Sequence, residues 1–223
     1  MWSKQIPAFY RKLQAPEGIP LGVKLLYPFS EPDVWPLFTA FYKKFYADVQ
    51  PRFAIIGINP GRFGGGVTGI PFTDPIRLQQ DCGIENSFPK KQELSSVFMY
   101  QMMAAYGGPA AFYKRFYITS YSPLGFVAQG KNLNYYDDRA LAAATELFAA
   151  QCLQQQIEFG IDTSMAFCLG DGKNFSFLQR LNAKHRFFEA IVPLSHPRYV
   201  MQYKLKSLHS YIERYLQAFA TIG

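Results

Sequence analysis

The sequence predicts an α/β fold built on a mostly parallel sheet. Short apolar runs ending in Gly, Ser or Pro alternate with longer amphipathic stretches, which is the signature of strand–helix units. Hydrophobic residues make up 49% of the 223 residues and charged ones only 17%, enough to bury a large core and too apolar for a disordered chain. The length suits one domain, 1–223.

Residues 1–30 hold Lys4, Arg11, Lys12 and Lys24 against Glu17, with four prolines, and read as an irregular basic N-terminal arm docked on the domain. A helix is expected from Glu31–Trp35 through Phe45, with Phe38, Phe41 and Tyr42 on one face. Phe53 to Gly57 reads as a buried strand, followed by a Gly- and Pro-rich loop to Phe72. Glu93–Tyr106 reads as a helix and Phe116–Ser120 as a second strand, stopped by Ser122-Pro123. Asp137 or Asp138 caps a long helix to about Phe159. Met165–Leu169 is the third strand, with a short helix after Asp171. Phe187–Pro193 is the fourth strand, and Tyr199–Phe219 one C-terminal helix. In such folds the site lies at the carboxyl ends of the strands. Chemistry is therefore sought in the loops after Gly57, Ser120, Gly170 and Leu194.

The first of these loops, 57–72, holds six glycines in sixteen residues, so backbone N–H groups can approach a ligand closely. It lacks the Gly-Lys-Ser/Thr ending of a P-loop and the opening of a dinucleotide fingerprint. A long turn is the bland alternative, but a loop this Gly-rich at the exit of a buried strand favours ligand binding. The fourth loop sets His196-Pro197-Arg198 at a strand exit, where a ring and a cation can enter one cleft. His185 and His209 lack such a position and read as surface residues, and three scattered histidines do not make a metal site. The second loop offers hydroxyls without a Gly-x-Ser-x-Gly elbow. In the third, Lys173 and backbone N–H groups could meet a phosphate, with Asp171 as a helix-capping residue.

The net charge is +7. Between Lys184 and Lys206 the local balance is +4, with Tyr199 and Tyr203 interleaved. Basic and aromatic residues around a loop suit nucleic acid, through phosphate pairing and stacking; a solvated helix face is the alternative. Cys82, Cys152 and Cys168 are too few for a four-thiolate centre and too scattered for a disulfide framework, which fits a reducing, cytoplasmic setting. No export signal and no membrane-spanning stretch is expected.

Together these loops resemble the uracil-DNA glycosylase superfamily, and within it the single-strand-selective monofunctional family. That family's first motif, Gly-Met-Asn-Pro-Gly-x-Phe-Gly and later Thr-Gly-Val-Pro-Phe, stands here as Gly57-Ile58-Asn59-Pro60-Gly61-Arg62-Phe63-Gly64, then Thr68-Gly69-Ile70-Pro71-Phe72. Its second motif, His-Pro-Ser-Pro-Arg, is shortened to His196-Pro197-Arg198. Weaker likeness runs from the Phe53 strand to the C-terminal helix. The resemblance implies a three-layer α/β/α fold with a central four-stranded, mostly parallel sheet. It also implies a monofunctional DNA glycosylase that hydrolyses the N-glycosidic bond of a flipped deaminated base and leaves an abasic site for base excision repair. The partner is then DNA, with no cofactor and no metal, and a monomer in the cytoplasm (nucleoid-associated in a bacterium) or in a nucleus is expected.

The resemblance also assigns roles. Asn59 orients the attacking water, since an amide cannot take its proton at neutral pH. His196 hydrogen-bonds the charge that develops on the base O2, with the Ile58 N–H as a second donor. Phe72 stacks on the flipped base, beside Gly61. Arg198 and Tyr199 fall in the wedge region, where the shorter segment leaves Arg198 open to phosphate pairing and Tyr199 or Met201 open to wedging; Lys173, from the chemistry of its own loop rather than the resemblance, is a further expected DNA contact. No Lys matches a nucleophile position, so lyase chemistry is not expected.

Two departures from the pattern bear on specificity. Ser120 stands where the family reads the uracil edge with an Asn, in a His-Asn-x-Cys-Pro-Leu context. A short, rotating hydroxyl both gives and accepts, which predicts weaker discrimination for uracil and acceptance of xanthine or hypoxanthine. Gly65-Gly66-Val67 replaces a bulkier loop that helps exclude the thymine methyl. Two other classes compete with the enzyme: a non-catalytic nucleic-acid-binding module with a degenerate site, and a hydrolase or nucleotide-binding domain using the Gly-rich loop.

Overall fold

The computed structural model describes residues 1–222. In chain order the elements are α1 (Trp2–Lys12), β1 (Val23–Leu26), α2 (Val34–Phe45), β2 (Arg52–Gly57), α3 (Gly65–Thr68), α4 (Pro75–Gln80), α5 (Leu94–Tyr106), α6 (Pro109–Arg115), β3 (Phe116–Ser120), β4 (Gly125–Ala128), β5 (Lys131–Leu133), α7 (Arg139–Ile157), β6 (Ile161–Leu169), α8 (Lys173–His185), β7 (Ala190–Leu194), α9 (Pro197–Tyr203) and α10 (Leu208–Phe219). The central sheet has the order β3-β2-β6-β7 and every pair is parallel. Ala54, Ile55 and Ile56 of β2 are buried on both faces, as a strand covered by helices on each side requires. α1 packs against both α2 and α7, and α5, α9 and α10 form a second group. The α/β fold with a four-stranded parallel sheet flanked by helices is thus the one expected.

The local reasons are short-range. Asp138 caps α7 by accepting the Leu141 N–H at 2.8 Å, and Asp74 caps α4 by accepting that of Arg77 at 2.8 Å. Gly107, at φ 117°, ends α5, and prolines occupy the first turns of α4, α6 and α9.

The structure differs from the sequence reading in several places: it adds the short helices α3, α4 and α6, β6 starts at Ile161 rather than Met165, and β7 starts at Ala190 rather than Phe187. The first thirty residues are irregular only in part, mainly over 13–22: α1 forms despite Pro7, because Trp2, Ile6, Phe9 and Tyr10 make one buried stripe while Lys4, Arg11 and Lys12 face outward. The C-terminal helix is two helices. The chain leaves α9 at Lys204 and passes through a 3-10 turn, Leu205–Ser207, before α10 begins; no side chain in 204–207 is buried to hold a continuous rod. The helix after Asp171 is α8, which is not short but 13 residues long; its N-cap is Gly172, and Asp171 does not cap it but accepts from Ser195. Finally, β4 and β5 form a hairpin that joins β1 in a second, antiparallel sheet. Its two-residue turn, Gln129-Gly130, has both φ angles positive, the geometry that matches the strand twist.

All three cysteines are buried and unpaired. No helix among the described residues is long and apolar enough to cross a membrane.

Candidate active site

The parallel register places Gly57 beside Ser120, and Leu169 beside Leu194. The loops that leave these four strand ends close around one cleft, lined by Ile58, Asn59, Gly61, Phe72, Ser120, His196 and Arg198 together with residues the sequence did not single out. Tyr199 and Lys173 are not part of that lining. Tyr199 is 43% exposed beside Arg198, its ring 5.6 Å from that of Tyr203; the Lys173 ammonium lies 5.8 Å from the Tyr136 ring.

Asn59 is held at both ends of its carboxamide. Its Nδ2 donates to the Leu133 carbonyl at 3.2 Å, and its Oδ1 accepts the Tyr135 N–H at 3.1 Å. The orientation of the amide is therefore set by the end of β5 and the residues just after it, leaving one lone pair on Oδ1 and one proton on Nδ2 for a ligand. Tyr135 is itself fixed: its ring stacks on Tyr121 at 4.0 Å, and its hydroxyl donates to the buried Asn174 at 2.9 Å.

The glycine loop folds back on itself. The Ile70 N–H donates to Thr68 Oγ1 at 3.1 Å, and that hydroxyl donates to the Thr73 carbonyl at 2.6 Å. The return brings Phe72 over Gly57 with a left-handed backbone, φ 52°, which is uncommon for a non-glycine residue and concentrates at functional sites. A Cβ at Gly57 would lie 2.8 Å from Phe72 Cε2 and 3.4 Å from Ser120 Oγ, so the absent side chain makes room for the ring. The Ser120 hydroxyl lines the cleft and has no hydrogen-bond partner among the described residues, so it is available to a ligand.

His196 caps α9, its Nδ1 accepting the Arg198 N–H at 3.2 Å. That bond leaves the ring proton on Nε2. Burial, assisted by the Arg198 charge and opposed by Asp171, pushes the imidazole pKa down to about 4, so the ring is a neutral donor at physiological pH. The preceding residue is anchored from two sides: Tyr215 donates to the Ser195 carbonyl at 2.5 Å, and Ser195 Oγ donates to Asp171 at 2.8 Å. The Phe72 and His196 rings are 6.0 Å apart. His185 and His209 lie outside the cleft, stacked on Phe187 and paired with Glu213 respectively.

Glu93, Ser95, Asn132 and Asn134 complete the lining. The sequence marked Glu93 only as a helix start, and the asparagines belong to or follow a hairpin it did not show. Glu93 is the N-cap residue of α5. Its N–H donates to Asp74 Oδ2 at 2.8 Å, and its Oε2 accepts from Ser96 Oγ at 3.0 Å. Its carboxyl rests on the glycine loop: a Cβ at Gly61 would lie 2.6 Å from Oε1, and one at Gly64 would strike Oε2. Burial, with Asp74 adding to it and Ser96 and Arg198 opposing it, raises the Glu93 pKa to about 7. No three His, Cys, Asp or Glu side chains among the described residues converge as metal ligands.

A neutral N–H donor, an immobilised amide, a free hydroxyl and an aromatic ring around one cleft can hold a flat heterocycle and place water beside it. Comparison with known proteins agrees. The family model of the uracil DNA glycosylase superfamily matches residues 43–220. The crystal structure of wild-type SMUG2 from Pedobacter heparinus is 45% identical, with a TM-score of 0.95 over 99% of this chain and 97% of that one. No curated protein matches. The chain is a DNA glycosylase and belongs to the uracil-DNA glycosylase superfamily.

Proposed function

We propose that the chain is a monofunctional glycosylase that takes a deaminated base out of DNA into this cleft, hydrolyses its N-glycosidic bond and leaves an abasic site. It acts on uracil and, through Ser120, also on deaminated purines such as xanthine and hypoxanthine. It works as a monomer and without a cofactor.

The observation that carries this reading is the pairing of a clamped Asn59 with a neutral His196 on one cleft. The glycosidic bond breaks first, and the sugar becomes oxocarbenium-like while charge builds on the base. The Nε2–H of His196 and the Ile58 N–H meet that charge; one such fixed donor is worth about 3–4 kcal/mol in the transition state. Asn59 holds the water that captures the sugar carbon. Phe72 stacks on the base, and the Ser120 hydroxyl donates or accepts at its polar edge as the base demands. Arg198, Tyr199 and Lys173 contact the DNA that surrounds the extruded nucleotide.

The test is base release from single- and double-stranded oligonucleotides carrying uracil, xanthine or hypoxanthine, read by alkaline cleavage of the abasic product. Cleavage that is lost in Asn59→Ala and His196→Ala, with DNA binding retained, is the expected result. Binding without turnover on every substrate would leave a nucleic-acid-binding module in its place.

A further inference from the structure

We propose that Glu93 is the acid that protonates N7 of a departing purine, and so determines how well deaminated purines are cleaved relative to uracil. This inference rests on the broad specificity proposed above.

The placement follows from the walls of the cleft. With the glycosidic nitrogen toward Asn59, the O2 side toward His196 and the polar edge toward Ser120, one edge of the base remains. It faces the glycine loop, where Gly61, Gly65 and Glu93 line the cleft. In uracil that edge is C5 and C6, two C–H groups with nothing to accept a proton. In a purine it is C8 and N7, and N7 carries a lone pair. A carboxyl on this wall is of no use to uracil and is in place for a purine.

The loop is shaped around that carboxyl. A side chain at Gly61 or at Gly64 would occupy the space its two oxygens fill. Ser96 and the N-cap position fix the residue, and the groups facing it are Asp74 before α4 and Arg198 on α9. Their balance, on top of burial, keeps a substantial fraction of the carboxyl protonated near neutral pH. An acid with a pKa near the working pH is the most effective proton donor.

The step balances. The C1′–N9 bond breaks with its electron pair going to the base. The Glu93 proton goes to N7, so the purine leaves neutral and Glu93 remains as carboxylate. Water adds hydroxyl to C1′ and releases one proton to solvent, from which Glu93 is reprotonated.

The experiment is single-turnover cleavage of oligonucleotides carrying uracil, xanthine, hypoxanthine or 7-deazahypoxanthine, by the wild-type protein and Glu93→Gln. The expected result is a fall in the purine-to-uracil rate ratio on the order of 10²-fold in the variant. The gap between hypoxanthine and 7-deazahypoxanthine, wide in the wild type, narrows in the variant. Wild-type purine cleavage declines as pH rises through about 7, because the acid must be protonated, and uracil cleavage does not share that limb. Equal losses on purines and uracil in Glu93→Gln, or wild-type cleavage of 7-deazahypoxanthine as fast as of hypoxanthine, would overturn the role of Glu93 alone. A wild type that cleaves uracil and neither purine would overturn it together with the broad specificity.

Discussion

The Tyr135 N–H donates to Asn59 Oδ1 at 3.1 Å, across 76 residues of chain. With the bond from Asn59 Nδ2 to Leu133, it makes the Asn59 amide a fixed part of the scaffold rather than a rotor. A donor–acceptor pair that needs no reorganisation when the substrate arrives is pre-organised for the water-positioning role proposed for it.

Asn59→Asp is the sharpest test of that clamp. The carboxylate still accepts from Tyr135 but can no longer donate to Leu133, and it faces that carbonyl with a negative charge. A destabilisation of about 1–3 kcal/mol is expected in denaturant unfolding. Asn59→Ala, which removes both bonds without adding charge, should abolish turnover and leave the affinity for lesion-bearing DNA within a few fold.

Gly57→Ala tests the seat of Phe72. The new methyl meets the ring at 2.8–2.9 Å, so the ring must move or the strand end must give. Overpacking of this kind costs about 1–3 kcal/mol. The displaced ring should raise KM for the lesion substrate, and a thermal melt alongside steady-state kinetics separates the two effects.

His196 makes stability depend on pH in a defined direction. Its folded pKa, about 4, lies below the value of about 6.5 for a free histidine, so the unfolded chain binds more protons between them. The contribution of the neutral ring is complete above the unfolded pKa and is lost as pH falls through the folded one. Unfolding free energies measured between pH 7 and pH 4 should decline more steeply in the wild type than in His196→Asn, which keeps an N-cap acceptor but cannot titrate. Nitrogen NMR of the imidazole should show the Nε2–H tautomer at pH 6.

Arg198→Ala should weaken DNA binding at every sequence and reduce the magnitude of the slope of log Kd against log salt by about 0.7–0.9, the signature of one lost phosphate contact. Tyr199→Ala should weaken binding without changing that slope, since its exposed ring can stack but carries no charge. Equal slopes for wild type and Arg198→Ala would remove the phosphate role.

Ser120→Asn replaces a rotating hydroxyl with a donor and acceptor of fixed geometry. Cleavage of uracil relative to xanthine should rise about tenfold, the discrimination expected of roughly 1.4 kcal/mol of oriented hydrogen bonding. Competition between the two lesions in one reaction measures the ratio directly.

The elements legible in the sequence were those whose signal is local. The apolar run before Gly57, the five residues Phe116–Ser120 and the Asp-capped helix after Asp138 each carry their reason within a dozen residues. The motif residues of the glycine loop and the His196-Pro197 turn were legible in the same way, and parallel pairing then brings Asn59, Phe72, Ser120 and His196 to one end of the sheet. The hairpin of β4 and β5 gave no such signal, because its short strands are partly exposed and its turn is Gln-Gly rather than Asn-Gly.

What the sequence determined by itself was the class of chemistry: an amide, an imidazole and an aromatic ring in strand-exit loops with motif spacing. The tertiary structure decided which groups act on those residues. Only long-range contact could show that Leu133 and Tyr135 grip Asn59, that burial keeps His196 neutral, and that Glu93 from the start of α5 rests on Gly61 and Gly64. Hydrogen-bond partners and desolvation depend on what surrounds an atom in space: Leu133 and Tyr135 lie 74 and 76 residues from Asn59 along the chain, and the Asp74 that accepts the Glu93 N–H lies 19 residues before it.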